Sequence, residues 1–398
     1  GALCQVTGRT LPWGDLTGIR PTKIPMKLLE EGWKNTEIAR YMRETYGVSN
    51  EKTALAITIA NREKALLQDL DYENGYSLYV GIPFCPSICL YCSFGSHPLE
   101  RWTKRVDEYL DTLCKELTFI REQMGARKLT TVYIGGGTPT TLEPEQLRRL
   151  LSHIQETFDF TWVKEYTVEA GRPDSITREK LQVMKEFPVT RISVNPQTMN
   201  QKTLDVIGRK HTVEDTVNIF HMARELEFDN INMDLIIGLP GEGKEEVAHT
   251  LQEVEKLHPD SLTIHSLALK RATRLNLFKD KYEEMSFENS KEIMEMTQQC
   301  AGNMGMGPYY LYRQKNIAGN FENVGYAEVD KAGIYNILIM EEKQTILAAG
   351  AGASTKFVFE HGTRIERVEN VKDVNNYILR IDEMLERKRV GIQKYLNG

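Results

Sequence analysis

Six cysteines in 398 residues are too few for a disulfide framework, which separates this chain from small secreted scaffolds. No run approaches the ~18 consecutive apolar residues of a membrane helix, and the N-terminus lacks the basic stretch and apolar core of a secretory signal. A cytoplasmic protein without a membrane span is expected. Clustered positive charge is also missing: 50 Lys and Arg against 56 Asp and Glu leave a net charge of −6, with no basic stripe, so no nucleic-acid partner is expected. Neither low-complexity tracts nor a repeat of solenoid period is present. The chain opens on Gly1 rather than Met, which points to a natural start upstream.

What is present is an ordinary globular composition, 41% hydrophobic and 27% charged, on a length that suits one large domain with appendages. Residues 1–75 hold two helix-like runs, near Pro25–Thr45 and Glu51–Leu70, with apolar residues returning every three or four positions. From Tyr76 short β-branched or aromatic runs alternate with longer periodic ones, the pattern of βα units around a parallel sheet. Candidate strands are Ser77–Ile82, Thr131–Ile134, Glu165–Glu169, Val189–Val194, Asn232–Ile237 and Ser261–Leu267. Candidate helices between them are Lys104–Gln123, Pro144–Thr157, Thr177–Glu186, Val213–Leu226 and Lys244–Leu257, with Thr177 and Thr212 as N-caps. The expected fold is α/β: a partial (β/α)6 barrel over 76–267, a helical N-terminal segment over 1–75, and a mixed α+β C-terminal region over 268–398. That last region is rich in Met, Tyr and Asn and ends in a charged helix near Val374–Arg389.

Three of the six cysteines fall within eight residues, in a C-x3-C-x2-C loop formed by Cys85, Cys89 and Cys92 directly after the first strand. Soft thiolates select Fe–S clusters, zinc or cuprous copper. A fully ligated cluster takes four cysteines, and with three one iron stays open to bind a substrate. A Cys3His zinc site completed by His97 is the competing assignment, and three unrelated core cysteines are the plain one. Cys4, Cys114 and Cys300 carry no motif, and Cys114 sits in a helical pattern as a core residue.

A second signal, Tyr133-Ile134-Gly135-Gly136-Gly137-Thr138-Pro139-Thr140, closes the second strand. Three glycines let backbone approach a ligand and turn N–H groups toward a polar partner, although a glycine turn after a strand is commonly structural. It is neither a dinucleotide fingerprint nor a P-loop. Glu169 and Arg172, Asn195 and Gln197, Asp234 and His265 sit at or near the C-terminal ends of later strands, where a barrel presents its site. Each of them alone reads equally as a cap or a strand-end ion pair. Tyr310, Tyr312, Arg313 and Lys315 form a Tyr-rich β-segment that would also stack on flat rings and pair with carboxylates.

The cysteine loop, with Tyr79 and Phe84 before it and Tyr91 inside it, resembles the cluster loop of the radical S-adenosylmethionine (SAM) superfamily. More narrowly it is similar to oxygen-independent coproporphyrinogen III oxidases (dehydrogenases) and the related heme chaperones, and Gly81, with the segments Tyr310-Leu311-Tyr312-Arg313-Gln314-Lys315-Asn316 and Glu322-Asn323-Val324-Gly325-Tyr326-Ala327, looks most like the divergent coproporphyrinogen dehydrogenase group of Gram-positive anaerobes. The glycine triplet and the turn Ile207-Gly208-Arg209-Lys210-His211-Thr212 match motifs of the same branch. The resemblance implies a radical SAM barrel and a [4Fe–4S] cluster on Cys85, Cys89 and Cys92. It also implies SAM contacts at Tyr79, Tyr91, Gly136, Gly137, Thr138, Glu169, Gln197, Arg209 and Asp234. A carboxylate can accept from ribose hydroxyls or the methionyl amine, and Arg can hold the methionyl carboxylate.

The substrate implied is a tetrapyrrole, contacted by Arg172, Tyr310, Tyr312 and Arg313 and covered by residues 268–398, with electrons from a low-potential donor such as flavodoxin or ferredoxin. The chemistry implied is oxidative decarboxylation of propionates to vinyls, which needs no general base for hydrogen abstraction. A heme-binding chaperone of the same fold and an enzyme acting on another tetrapyrrole remain alternatives. Two departures stand out: Gly81 where many relatives have His, and Phe94 where the best-known oxidases place a fourth Cys. Gly350-Ala351-Gly352-Ala353-Ser354 resembles a glycine turn carried near the active site in this branch.

Overall fold

The computed structural model describes residues 11–92, 97–268, 288–314, 317 and 321–398. Cys4, Phe94 and Lys315, singled out above, lie outside the described residues. The described strands are β1 (Gly75–Ile82), β2 (Phe84–Cys85), β3 (His97–Pro98), β4 (Lys128–Gly136), β5 (Glu165–Glu169), β6 (Arg191–Ser193) and β7 (Ile231–Ile237). They continue with β8 (Ser261–Ser266), β9 (Gly307–Arg313), β10 (Glu322–Ala327), β11 (Thr345–Ala349), β12 (Ser354–Phe359) and β13 (Arg364–Glu369). The chain divides into two compact units, one of Leu70–Pro196, Leu204–Met233 and Gly333–Gly398, the other of Gly1–Asp69, Gln197–Thr203 and Asp234–Ala332.

The first unit carries the cysteine loop. Its central strand, β1, is buried along nearly its whole length and pairs in parallel on both sides, with β4 in the register Tyr79↔Tyr133 and Gly81↔Gly135, and with β11 in the register Val80↔Ala349. Burial on both faces is why these strands read as apolar runs rather than alternations. β4 continues in parallel to β5, β5 to β6, and β6 to the first residues of β7, while β12 and β13 extend the other edge in antiparallel fashion. The helices Val106–Met124, Pro144–Thr157, Arg178–Lys185 and Val213–Glu225 lie at the places expected between strands. Thr177 and Thr212 cap their helices by accepting from the Lys180 and Asp215 N–H groups. The C-terminal helix expected near Val374–Arg389 is two, Val374–Leu379 and Ile381–Asn397, broken at Arg380. The longer one places Lys388 beside Glu116, both wholly buried.

β11 was not among the expected strands. Five residues, Thr-Ile-Leu-Ala-Ala, are too short for periodicity to separate a buried strand from a helical turn, and only pairing beside β1 decides it.

In the second unit β10 pairs antiparallel with both β8 and β9. A Cβ at Gly325 would lie 1.9 Å from the Tyr310 ring, so only glycine lets that ring lie flat across β10. Among the described residues the helical N-terminal segment holds three helices, Lys23–Glu30, Asn35–Tyr46 and Asn50–Leu67. The run expected over Pro25–Thr45 is interrupted at Gly32, whose φ of +88° ends the first helix. Helix Asn50–Leu67 docks on β9: Arg62 donates to the Gly307 and Ala327 carbonyls at 2.6 and 3.0 Å. Lys52 pairs with Glu322 in the interior, where the Trp13 indole also donates to that carboxylate at 3.0 Å.

Candidate cluster and cofactor site

β1 ends at Ile82, and after Pro83 the chain enters the cysteine loop through β2, which pairs with β3. Cys85 and Cys89 are buried, and Cys92 is partly exposed. The loop is seated by backbone. Gly137 N–H donates to the Ile82 carbonyl at 2.7 Å, Thr138 N–H to Phe84 at 2.8 Å, and Leu90 N–H to Ile207 at 2.9 Å. A Cβ at Gly137 would sit 2.6 Å from the Phe84 oxygen, and one at Gly136, where φ is +111°, 2.9 Å from the Ile82 oxygen. The glycine triplet therefore exists to let β4 touch the root of the loop. The Thr138 hydroxyl donates to the Cys85 sulfur at 3.5 Å, and Cys92 N–H donates to the Cys89 carbonyl at 3.2 Å.

Among the described residues no three His, Cys, Asp or Glu side chains are already gathered around one point that would hold a metal ion. The sulfurs share a loop, and ligands of this kind are drawn together when the metal binds. His97, the residue a zinc site would need, lies on β3 with its ring edge-on to Trp102 at 5.6 Å. Three thiols on a short loop, with Arg172 and Arg209 acting on Cys89, suit an Fe–S cluster as a donor set.

Tyr79, Tyr91, Gly136, Gly137, Thr138, Glu169, Arg172 and Arg209 all belong to the first unit. Tyr79 stacks on Tyr133 at 6.2 Å, and Tyr133 on Tyr335 at 4.4 Å. The Tyr133 hydroxyl donates to the Glu169 carboxylate, and a Cβ on Gly135 would lie 2.8 Å from the Tyr133 ring and 3.0 Å from that carboxylate. Burial, reinforced by Glu169, pushes the Tyr79 phenol well above its ordinary range, so it stays protonated.

Arg209 is buried, with Nη1 donating to the Asn195 carbonyl at 2.6 Å and Nε to the Tyr91 hydroxyl at 3.2 Å. Burial opposes its charge, but Tyr91 and Cys89 outweigh it and the guanidinium is held more firmly protonated than usual. His211, fully buried two residues on, is pushed down to about 4, first by burial and then by Arg209, and is neutral near pH 7.

The second unit holds Gln197, Asp234, Tyr310, Tyr312 and Arg313. Gln197 has φ +68°, unusual for a side-chain-bearing residue, and among the described residues its buried Oε1 has no hydrogen-bond partner. Asp234 lies 3.4 Å from His265 Nε2, and His265 Nδ1 lies 3.3 Å from the Tyr312 hydroxyl. The Tyr310 and Tyr312 rings are parallel within 4°, with centroids 6.4 Å apart.

Two arginines expected at substrate carboxylates have protein partners in the structure. Arg172 turns onto the cysteine loop and Asp174. Arg313 donates from Nη1 to the Leu16 carbonyl at 2.7 Å and lies over the Trp13 ring. Sequence reasoning also passed over Tyr133, Ser87, Asp174, and the link of His265 to Asp234 and Tyr312. Tyr133 stands two residues before the glycine triplet, but strand alternation alone does not say which neighbour a tyrosine reaches.

Residues 79–254 match the family model described as the Radical SAM superfamily, whose members use a [4Fe–4S] cluster and SAM. The chain is 44% identical over 386 residues to the oxygen-independent coproporphyrinogen-III oxidase-like protein HemZ of Bacillus subtilis (strain 168), a match covering 96% of this chain and 77% of that protein. It is 37% identical over 198 residues to the heme chaperone HemW of the same organism, about half of each chain. Its structure resembles the Escherichia coli coproporphyrinogen III oxidase HemN, a radical SAM enzyme, with TM-score 0.63 at 25% identity, over 81% of this chain and 73% of that one. The chain belongs to the radical SAM superfamily, in the branch of oxygen-independent coproporphyrinogen III oxidase-like proteins. Among the described residues no helix is long and apolar enough to cross a membrane.

Proposed function

We propose that this protein is an oxygen-independent coproporphyrinogen III dehydrogenase, which converts two propionates of coproporphyrinogen III to vinyls and yields protoporphyrinogen IX. The observation that carries it is the likeness to the Escherichia coli oxidase over 81% of the chain, well beyond residues 79–254 and into the C-terminal region. In each turn a propionate loses a hydrogen atom, carbon dioxide and one further electron to an acceptor. When bound, the cluster and SAM supply the one-electron cleavage and hydrogen abstraction that begin this sequence.

Cys85, Cys89 and Cys92 hold the cluster as thiolates. Gly136, Gly137 and Thr138 offer backbone at close approach, with Tyr79 and Tyr91 as walls. Glu169 and Asp234 would accept from the methionyl amine or the ribose hydroxyls, Arg209 would pair with the methionyl carboxylate, and Gln197 would contribute a further polar contact to SAM. Tyr310 and Tyr312 present flat rings to the tetrapyrrole, and residues 268–398 cover it. A low-potential flavodoxin or ferredoxin delivers the electrons, and the reaction is cytoplasmic. Water exclusion around the cysteine loop is supported by the burial of Cys85, Cys89 and Arg209.

The test is anaerobic reconstitution with iron and sulfide, reduction with SAM, and chromatography for 5′-deoxyadenosine with and without coproporphyrinogen III. Substrate-stimulated 5′-deoxyadenosine and a vinyl-bearing product are expected. The similarity to heme chaperones favours a second reading, heme binding without decarboxylation. Stoichiometric heme uptake with coproporphyrinogen III left intact would replace the first with the second.

A further inference from the structure

Arg172 lies three residues beyond the end of β5, directly before the turn Pro173–Ser175, and is only 4% exposed. Its backbone is pinned before its side chain acts. The Ser175 N–H and hydroxyl both donate to the Arg172 carbonyl, at 2.9 and 2.7 Å, and Lys180 Nζ locks the turn by donating to the Thr140 and Ser175 carbonyls at 2.7 and 3.0 Å. The guanidinium then reaches the cysteine loop. Nη1 lies 3.4 Å from the Cys89 sulfur and 3.1 Å from the Ser87 carbonyl, and Nη2 lies 2.9 Å from the Ser87 hydroxyl. The Ser87 hydroxyl passes the connection on by donating to the Gly208 carbonyl at 3.2 Å, in the turn that bears Arg209.

On the far side Nε and Nη2 bond both oxygens of Asp174 at 3.0 and 2.8 Å. Burial alone would raise the Asp174 carboxyl, but Arg172 outweighs it and holds the group below its usual range, so the pair stays ionised. What the sulfur meets is thus a directed N–H whose net charge is balanced by its neighbour.

We propose that Arg172 is a positioning residue for the cluster rather than a substrate contact. Its N–H···S bond to Cys89, together with its grip on Ser87, sets the reduction potential of the cluster and the shape of the loop between the first two cysteines. The inference rests on the cluster assignment made under the proposed function. A donor to a ligating sulfur draws density from it and stabilises the more negative, reduced state, so the bond raises the potential. Hydrogen bonding to cluster sulfurs is one of the established levers on such potentials.

The experiment is a redox titration of the reconstituted protein followed by electron paramagnetic resonance, with iron content and thermal unfolding measured on each variant. Arg172→Met is expected to shift the midpoint negative by about a tenfold change in the reduction equilibrium, which is ~59 mV for one electron. Arg172→Lys, which keeps a charged donor without the fork, is expected to shift it less. Asp174→Asn, which leaves the Arg172 charge unbalanced, is expected to shift it the other way. Loosening of the fold would not reverse sign between these variants. If Arg172→Met fails to hold a cluster, the Lys and Asn variants decide the matter. Wild-type potentials in the variants that do load overturn the inference, whereas a wild-type protein that assembles no [4Fe–4S] cluster overturns the functional proposal instead.

Discussion

The neighbourhood of the cysteine loop and the strand ends of the second unit are built in different ways. Around the loop, backbone meets backbone: Gly136 and Gly137 lie against Ile82 and Phe84 where no Cβ fits, and a Cβ at Gly350 would stand 2.6 Å from the Gly81 carbonyl oxygen near the end of β1. At the other place, Asp234, His265 and Tyr312 are linked through side chains at 3.3 to 3.4 Å. Backbone contacts leave no room for a different residue, whereas long side-chain links tolerate one. The first region should be brittle and the second graded.

The sharpest test of that contrast is Gly137→Ala, whose methyl would stand 2.6 Å from a carbonyl oxygen that cannot swing away. Loss of cluster incorporation is expected, read as iron and sulfide content after reconstitution, with the remaining fold intact by circular dichroism. A protein that loads normally would show that the loop root has slack.

Next in size is Glu116→Ala. Glu116 accepts from Gly350 N–H, Asn370, Tyr377 and Lys388, and both members of the ion pair are wholly buried. Removing one partner strands a charge, at a cost of about 3–5 kcal/mol in urea unfolding. The double variant Glu116→Leu with Lys388→Met should recover part of that loss.

The third concerns pH. His211 is buried neutral, with a folded value of about 4 against 6.5 unfolded. As pH falls from 6.5 to 4 the unfolded chain takes up a proton that the folded one refuses, so stability drops over that window, by about 3 kcal/mol from this residue, and no further below it. His211→Asn should flatten the slope of unfolding free energy between pH 6.5 and 4, and an unchanged slope would remove this residue from the account.

The smallest effect belongs to the graded region. Tyr312→Phe deletes one hydroxyl from the link to His265, worth about 0.5–1.5 kcal/mol. If Asp234 binds SAM, the KM for SAM should rise by no more than roughly tenfold with kcat little changed. A loss as severe as that of Gly137→Ala would erase the distinction between the two regions.

Much of this was legible in the sequence for identifiable reasons. β5 is found at Glu165–Glu169 as expected and the helix Pro144–Thr157 has its expected limits, because long periodic runs and short β-branched ones carry their own signal. The cysteine loop and the glycine triplet were legible because spacing and missing side chains are local properties. Arg172 and Arg313 were not, since type alone makes any arginine a candidate for a carboxylate. Which partner it takes depends on what the fold sets within its reach, here Cys89, Ser87 and Asp174 for one and Leu16 and Trp13 for the other.

By itself, then, the sequence determined the parallel βα succession, the family, and the three thiols that call for a cluster, because each is written in neighbours a few residues apart. Tertiary structure alone decided that Thr345–Ala349 would become a parallel strand beside β1 and that Lys388 would neutralise Glu116 from 272 positions away. It also turned Tyr133 toward Glu169. A short buried strand and a buried charge are stable only through partners distant in the chain, and no local pattern encodes which partner arrives.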